Sequence, residues 1–162
     1  MTNNANEKVD LLRHTVATLA YRGGKAIRGV PADFSGFQAA PGVRTPGQIL
    51  AHMGDLMDWV LSIAKGNQAW HDSAPRTWDE GTARFFAALQ ALDNYLASGA
   101  PLGSPAEQLF QGAIADALTH VGQINTLRRI AGAPIRSENY FRAEIATGQV
   151  GPNQPPPKHE FD

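Results

Sequence analysis

Apolar residues recur at three- and four-residue intervals in four long runs of this chain, the pattern of helices that each bury one face. The first run spans about Asn4 to Arg28 and puts Val9, Leu12, Val16, Leu19 and Gly23 on one side. The second opens at Thr45-Pro46-Gly47-Gln48. There Thr45 can cap, Pro46 takes the first helical position, and Gln48 closes a capping box. It ends near Gly66, and its inner line is Ile49, His52, Leu56, Trp59 and Ile63. The third opens at a second such box, Thr77-Trp78-Asp79-Glu80, and aligns Trp78, Phe85, Leu89, Leu92 and Leu96 before Gly99 and Pro101 stop it. The fourth opens at Ser104-Pro105-Ala106-Glu107, a third expected box, and runs to Gly132 and Pro134. Its inner residues are Leu109, Ala113, Ala117, Val121, Ile124 and Leu127. No stretch alternates with period two, so no strands are expected. The spacing predicts an all-α four-helix bundle, with a short fifth helix from Ser137 to Ala146.

The connections leave the order of the helices open. About 16 residues join the first two runs and about 10 join the second to the third. A 20-residue helix is about 30 Å long, and ten or eleven extended residues reach about 35 Å. The second connection can therefore run the length of a bundle or form a generous hairpin. Residues 1–150 read as one domain. Residues 151–162, opening Gly151-Pro-Asn-Gln-Pro-Pro-Pro, read as an extended proline-rich tail without a core role.

Composition narrows the chemistry. The chain has 162 residues, 43% hydrophobic and 18% charged, with a net charge of −1. That balance is ordinary for a globular domain and gives no basic surface for nucleic acid or anionic membrane. With no cysteine in the sequence, disulfides and thiolate metal sites are excluded. The polar start MTNNANEKVD lacks the apolar core of a secretory leader, and no run nears the roughly 20 apolar residues of a membrane span. The expected location is the cytoplasm.

Within this pattern three polar residues stand out. His52 lies on the inner line of the second helix, and Asp116 and His120, four apart, share one face of the fourth. A carboxylate and imidazoles in an apolar stripe are costly unless paired or bound to a cation. Each alone has an ordinary reading as an interior hydrogen-bonded group. Together, two histidines and a carboxylate from two helices are how bundles build interior metal sites. Such ligands suit Zn, Ni, Fe or Mn, and three of them leave a position open for water or substrate. Nearby, Asp55 is placed to orient an imidazole, Trp59 to wall a pocket, and Gln123 to hydrogen-bond across the site; each also has a reading as a surface or packing residue. His14, His71 and His159 read as solvated. Tyr21-Arg22 and Arg128-Arg129 are candidate anion contacts or plain surface charge, and Glu138-Asn139-Tyr140-Phe141 a candidate lid over the bundle end.

Thr45-Pro46, Leu50-Ala51-His52, Leu56 and Trp59, then Asp116, His120-Val121-Gly122-Gln123, Leu127-Arg128-Arg129, Gly132 and Pro134, resemble the DinB/YfiT-like family. The likeness runs from the first helix to Pro134, and His-x-Gly-Gln is its most specific part. It implies an up-down-down-up bundle, a three-residue metal site often holding Zn or Ni, and frequent homodimers. It implies relatives that are metal-dependent S-transferases or isomerases using a low-molecular-weight thiol; nothing in this sequence suggests DNA binding. His52 matches the first ligand and His120 the last. The middle ligand is typically a His, and this chain has Asp116 there. An Asp makes the site harder and more negative, which shifts preference toward Fe, Mn or oxygen-ligated Zn. The resemblance thus implies a metalloenzyme acting on a small molecule, with a low-molecular-weight thiol as co-substrate. The alternatives are a non-enzymatic bundle that binds a metal with a small ligand or protein partner, and, further off, oxygen chemistry at a two-His, one-carboxylate iron.

Overall fold

The computed structural model describes residues 2–161, with side chains from Ala5 onward. It is mainly helical: α1 spans Thr2–Ile27, α2 Pro46–Ala64 and α3 Trp78–Ala97. The fourth rod has three parts, α4 (Ala106–Leu109), a π-helical turn (Phe110–Ile114) and α5 (Ala115–Ile130). No helix among the described residues is long and apolar enough to cross a membrane.

Two of the three expected capping boxes form. Gln48 N–H donates to the Thr45 hydroxyl oxygen while Thr45 N–H donates to Gln48 Oε1 at 2.8 Å. Thr77 and Glu80 do the same at the start of α3, and the Thr77 hydroxyl and N–H hold the Glu80 carboxyl below its ordinary range. The third box does not form. Pro105 itself occupies the cap position, without a side-chain hydrogen bond, so Ser104 lies one residue out of register. Glu107 instead pairs with Lys8 of α1 at 2.6 Å.

Each helix contributes fully buried side chains to one core: Val16 and Leu19 from α1, Met53 and Met57 from α2, Phe85 and Leu89 from α3, Ile114 and Ile124 from the fourth rod. Burying each such side chain stabilises the fold by about 1.5–3 kcal/mol before the entropy of ordering it. Polar contacts show which ends lie together. Gly103 N–H, beyond α3, donates to Ala64 O at the end of α2, and Arg84 near the start of α3 reaches Ala51 and Asp55 of α2. Arg13 of α1 forms a two-pronged pair with Asp93, late in α3, at 2.9 and 3.1 Å. Trp78 Nε1 donates to Ile27 O at the other end of the same helix pair.

Arg128 ties the end of α5 to the end of α1. It is 5% exposed, and its guanidinium donates to the carbonyls of Ala26 (2.9 Å), Arg28 (2.6 Å), Gly29 and Ala133. The last carbonyls of a helix lack partners within it, and α1 finds one in this cation. Burial lowers the Arg128 pKa. Arg128 is therefore committed to structure and is not the anion contact that its sequence neighbourhood suggested.

The segment beyond Pro134 departs from expectation. In place of a fifth helix, Ser137–Glu138 (β1) pairs antiparallel with Glu160–Phe161 (β2), and Tyr140–Arg142 forms a single 3₁₀ turn. The Glu138 carboxylate accepts from Tyr21 Oη at 2.6 Å and Lys25 Nζ at 2.9 Å, and Lys25 also pairs with Glu160. Burial and the bond to Glu138 both raise the Tyr21 pKa. Glu138 is thus drawn onto α1 by two buried donors, which a helix over these residues would not reach. It forms no lid, and Phe141 stands 97% exposed. Residues 151–161 contribute no buried apolar side chain, but they are strapped to α1 through Glu160, and Val150 just before them is fully buried.

Replacing Arg128 by Met strands several buried carbonyls, so denaturant unfolding is expected to show a loss of about 3 kcal/mol. Arg128→Lys, with fewer donors, recovers only part of it. A Met variant as stable as the parent contradicts the capping role.

Candidate metal centre

His52 and His120 face each other across the contact between α2 and α5. The first turns of α2 are fixed by the Thr45 cap and rest on the 3₁₀ turn Phe34–Gly36, where a Cβ on Gly47 would meet Ser35 Oγ at 2.5 Å. On the opposite rod, the π turn ends just before Asp116. Such turns widen a helix by one residue and recur near functional sites. This one carries Gly112, which lies beside Trp59 of α2.

The imidazole centroids are 4.8 Å apart with planes at 88°. Both Nε2 atoms converge on one oxygen: Asp116 Oδ2 is 3.7 Å from His52 Nε2 and 3.5 Å from His120 Nε2. One ligand atom from each residue lies within 4.8 Å of the others. These separations are long for hydrogen bonds. They are close to the roughly 3.3 Å between neighbouring ligands around a tetrahedral ion with bonds near 2.0 Å. His120 Nδ1 is 2.7 Å from Gln123 Oε1. A carboxamide oxygen only accepts, so the Nδ1–H tautomer of His120 satisfies this contact and turns the Nε2 lone pair toward Asp116 and His52. Burial lowers the His52 pKa, and the nearby charges of His120 and Arg44 add to this against the pull of Asp116. Both features suit imidazoles that present Nε2 to a cation. The residues therefore fit a divalent ion.

The three are not equally interior. The His120 side chain is 9% exposed and that of His52 21%, but the Asp116 side chain is 47% exposed. The sequence expectation of a buried carboxylate is corrected: Asp116 sits at the rim of the apolar stripe, where α5 turns toward solvent. Burial does not force a cation here; convergence of the ligand atoms is what permits one.

Asp55 does not orient an imidazole. It is buried and directed away, toward α3 and the loop after α2, accepting from Ser73 N–H (2.8 Å), Ser73 Oγ (2.7 Å) and Arg84 Nη2 (2.6 Å). Burial pushes the Asp55 carboxyl up, but these donors outweigh it and hold the group below its ordinary range. The ring against His52 is Trp70, at 5.7 Å between centroids, with Trp59 packed edge-on behind it at 5.7 Å. Trp70 belongs to the loop that Asp55 fastens through Ser73. Periodicity gives no access to a loop residue; the only sequence signal was an aromatic in a polar connection, next to His71. His71 Nε2 itself lies 3.6 and 3.5 Å from Asp55 and Asp58, a second cluster with metal-like spacing. Arg84 Nη2 already supplies a cation there, at 2.6 and 2.7 Å from the two carboxylates. His14 is exposed on α1, and the His159 carbonyl accepts from Asn139 N–H.

Comparison with protein-family models, curated proteins and solved structures found no match.

Removing the tether should loosen Trp70 without emptying the core. Ser73→Ala or Asp55→Asn is expected to raise acrylamide quenching of the Trp70 emission, isolated by difference against Trp70→Phe. Asp55 titrates lower in the folded chain than the usual value of about 3.9. Its contribution is therefore complete above about pH 4 and lost as pH falls through the folded value, so parent and Asp55→Asn should converge only below about pH 4. Equal quenching at neutral pH contradicts the tether.

Proposed function

We propose that the chain is a divalent-metal-dependent enzyme of the DinB-like type, with His52, Asp116 and His120 as the ligands of one ion. The reaction class that fits is thiol S-transfer or isomerisation with a low-molecular-weight thiol. The observation that carries this reading is the meeting of two imidazole Nε2 atoms from separate helices on one carboxylate oxygen. The pairing of helix ends supports it: α2 with α3 start to start and end to end, α1 with α3 head to tail, and α1 with the fourth rod through Lys8–Glu107 and Arg128–Ala26. Those pairings support an up-down-down-up order. Zinc suits two imidazoles and a carboxylate, with iron or manganese next because of the hard oxygen and nickel as the other metal the resemblance brings. A homodimer rests on the resemblance alone.

When bound, such an ion supplies a Lewis acid that lowers the pKa of a thiol or water in its open position. The protein's own contribution is arrangement. Gln123 sets the tautomer of His120, Trp70 covers the His52 ring, and the half-exposed Asp116 leaves a side by which a small molecule can approach. Arg44 places positive charge near His52, which favours a thiolate over a thiol there.

Elemental analysis of tag-free chain purified without chelators is expected to give close to one zinc, iron, manganese or nickel per chain. His52→Ala and His120→Ala should lose it, and Gln123→Ala should weaken binding by about tenfold or more. Metal-dependent loss of a small thiol against a panel of electrophiles then tests catalysis. Full metal occupancy without any thiol-dependent turnover would favour a binding protein, and absence of metal at any concentration contradicts the centre itself.

A further inference from the structure

An open cleft of about 960 Å³ adjoins the candidate centre and shares His120 with it. Its size falls in the range of small-molecule sites, roughly 300–1,000 Å³. A hollow of about 820 Å³ at the α1 N-terminus touches none of the three candidate ligands. The cleft beside His120 is mainly apolar, walled by Val43, Ile49, Leu127 and Ile130. Ile130 is 59% exposed and Val43 40%, so two of the chain's exposed large apolar side chains flank one groove. Clustering of that kind marks a binding surface more than scattered surface apolar residues do.

The cleft residues that keep free donors are Arg44 and Gln123. Thr119 and Thr126 spend their hydroxyl protons on the carbonyls of Asp116 and Gly122 in their own helix. Gln123 commits its oxygen to His120, and among the described residues no acceptor takes its amide hydrogens. Arg44 lines the cleft, and among the described residues no carboxylate pairs with it. Among the described residues no Asp or Glu lines the cleft. An apolar wall with one unpaired guanidinium and one free amide N–H₂ is complementary to a molecule with an apolar body and an anionic end.

We propose that this cleft binds an organic anion, with its apolar body along Val43, Leu127 and Ile130 and its charged group at Arg44 and Gln123, and that the substrate acted on beside His120 belongs to this class. The word substrate rests on the proposed metal centre. The binding does not, because no cleft donor is a ligand of the ion.

The test is calorimetric titration of the whole chain, stripped of metal by chelation, with octanoate, 1-octanol and acetate. Octanoate should bind at least about tenfold tighter than 1-octanol, which lacks the charge, and acetate, which lacks the chain, should not bind measurably. Arg44→Gln should bring octanoate down to the level of 1-octanol. Ile130→Ser should weaken octanoate and 1-octanol alike. Both residues are exposed, so circular dichroism melts of the variants should match the parent. Equal affinity for octanoate and 1-octanol, or no effect of Arg44→Gln, overturns the proposal. So does octanoate binding that appears only with metal loaded and vanishes in His52→Ala, since the anion then goes to the ion; that result leaves the metal reading standing. A chain that binds no octanoate but sediments as a dimer dissociated by Ile130→Asp also overturns it, because the groove is then covered by a second copy. Arg44-dependent octanoate binding in a chain that never retains metal upholds the cleft and removes the metal centre.

Discussion

Two imidazoles held 4.8 Å apart across one helix pair are the constraint from which the site's chemistry follows. Neither ring can turn freely. Gln123 fixes His120 from its own helix, and Trp70 presses on His52 from the neighbouring loop. A small inward movement of Asp116 would close a three-point cradle. The same placement decides what is exposed: the histidines are largely covered, the carboxylate is not. Chemistry at this point would be reached from the Asp116 side or along the cleft that shares His120.

The rest of the fold keeps α2 and α5 in that relation. α2 is set by its Thr45 cap, by the seat on Ser35 and by its contacts with α3 through Arg84. α5 is set by Arg128, which ties its end to the end of α1. Lys25 and Glu138 add a covered ion pair that straps the segment after α5 to α1. A buried pair contributes less to net stability than to holding one arrangement, since desolvation offsets much of the attraction. These fastenings lie away from the histidines, so the site is positioned by packing of whole helices, while only Trp70 depends on a loop.

Much of this was legible in the sequence. Helical periodicity and the Thr45 and Thr77 boxes placed three helices within a residue or two, because local hydrogen bonds and burial act in the same direction there. The i, i+4 spacing of Asp116 and His120 and the inner-line position of His52 pointed to three residues whose ligand atoms do lie within 4.8 Å of one another. What escaped has physical reasons. Periodicity sees a face but not its edge, so it could not tell that Asp116 lies at the rim. Asp55 is three residues from His52 in sequence, but its partners Ser73 and Arg84 are 18 and 29 residues away, and only their tertiary approach turns it from the histidine. The π turn leaves no mark in a hydrophobic pattern. The Ser104 box failed because a proline at the cap shifted the register. Glu138 takes its conformation from Tyr21 and Lys25, more than a hundred residues distant, which local propensity cannot register.

Zinc K-edge X-ray absorption on the chain loaded with one equivalent of zinc tests whether His52, Asp116 and His120 share one cation. The expected spectrum has a first shell of nitrogen and oxygen at about 2.0 Å with the outer-shell scattering of two imidazoles. A shell of oxygen alone, without imidazole scattering, would place the ion elsewhere and contradict the shared site.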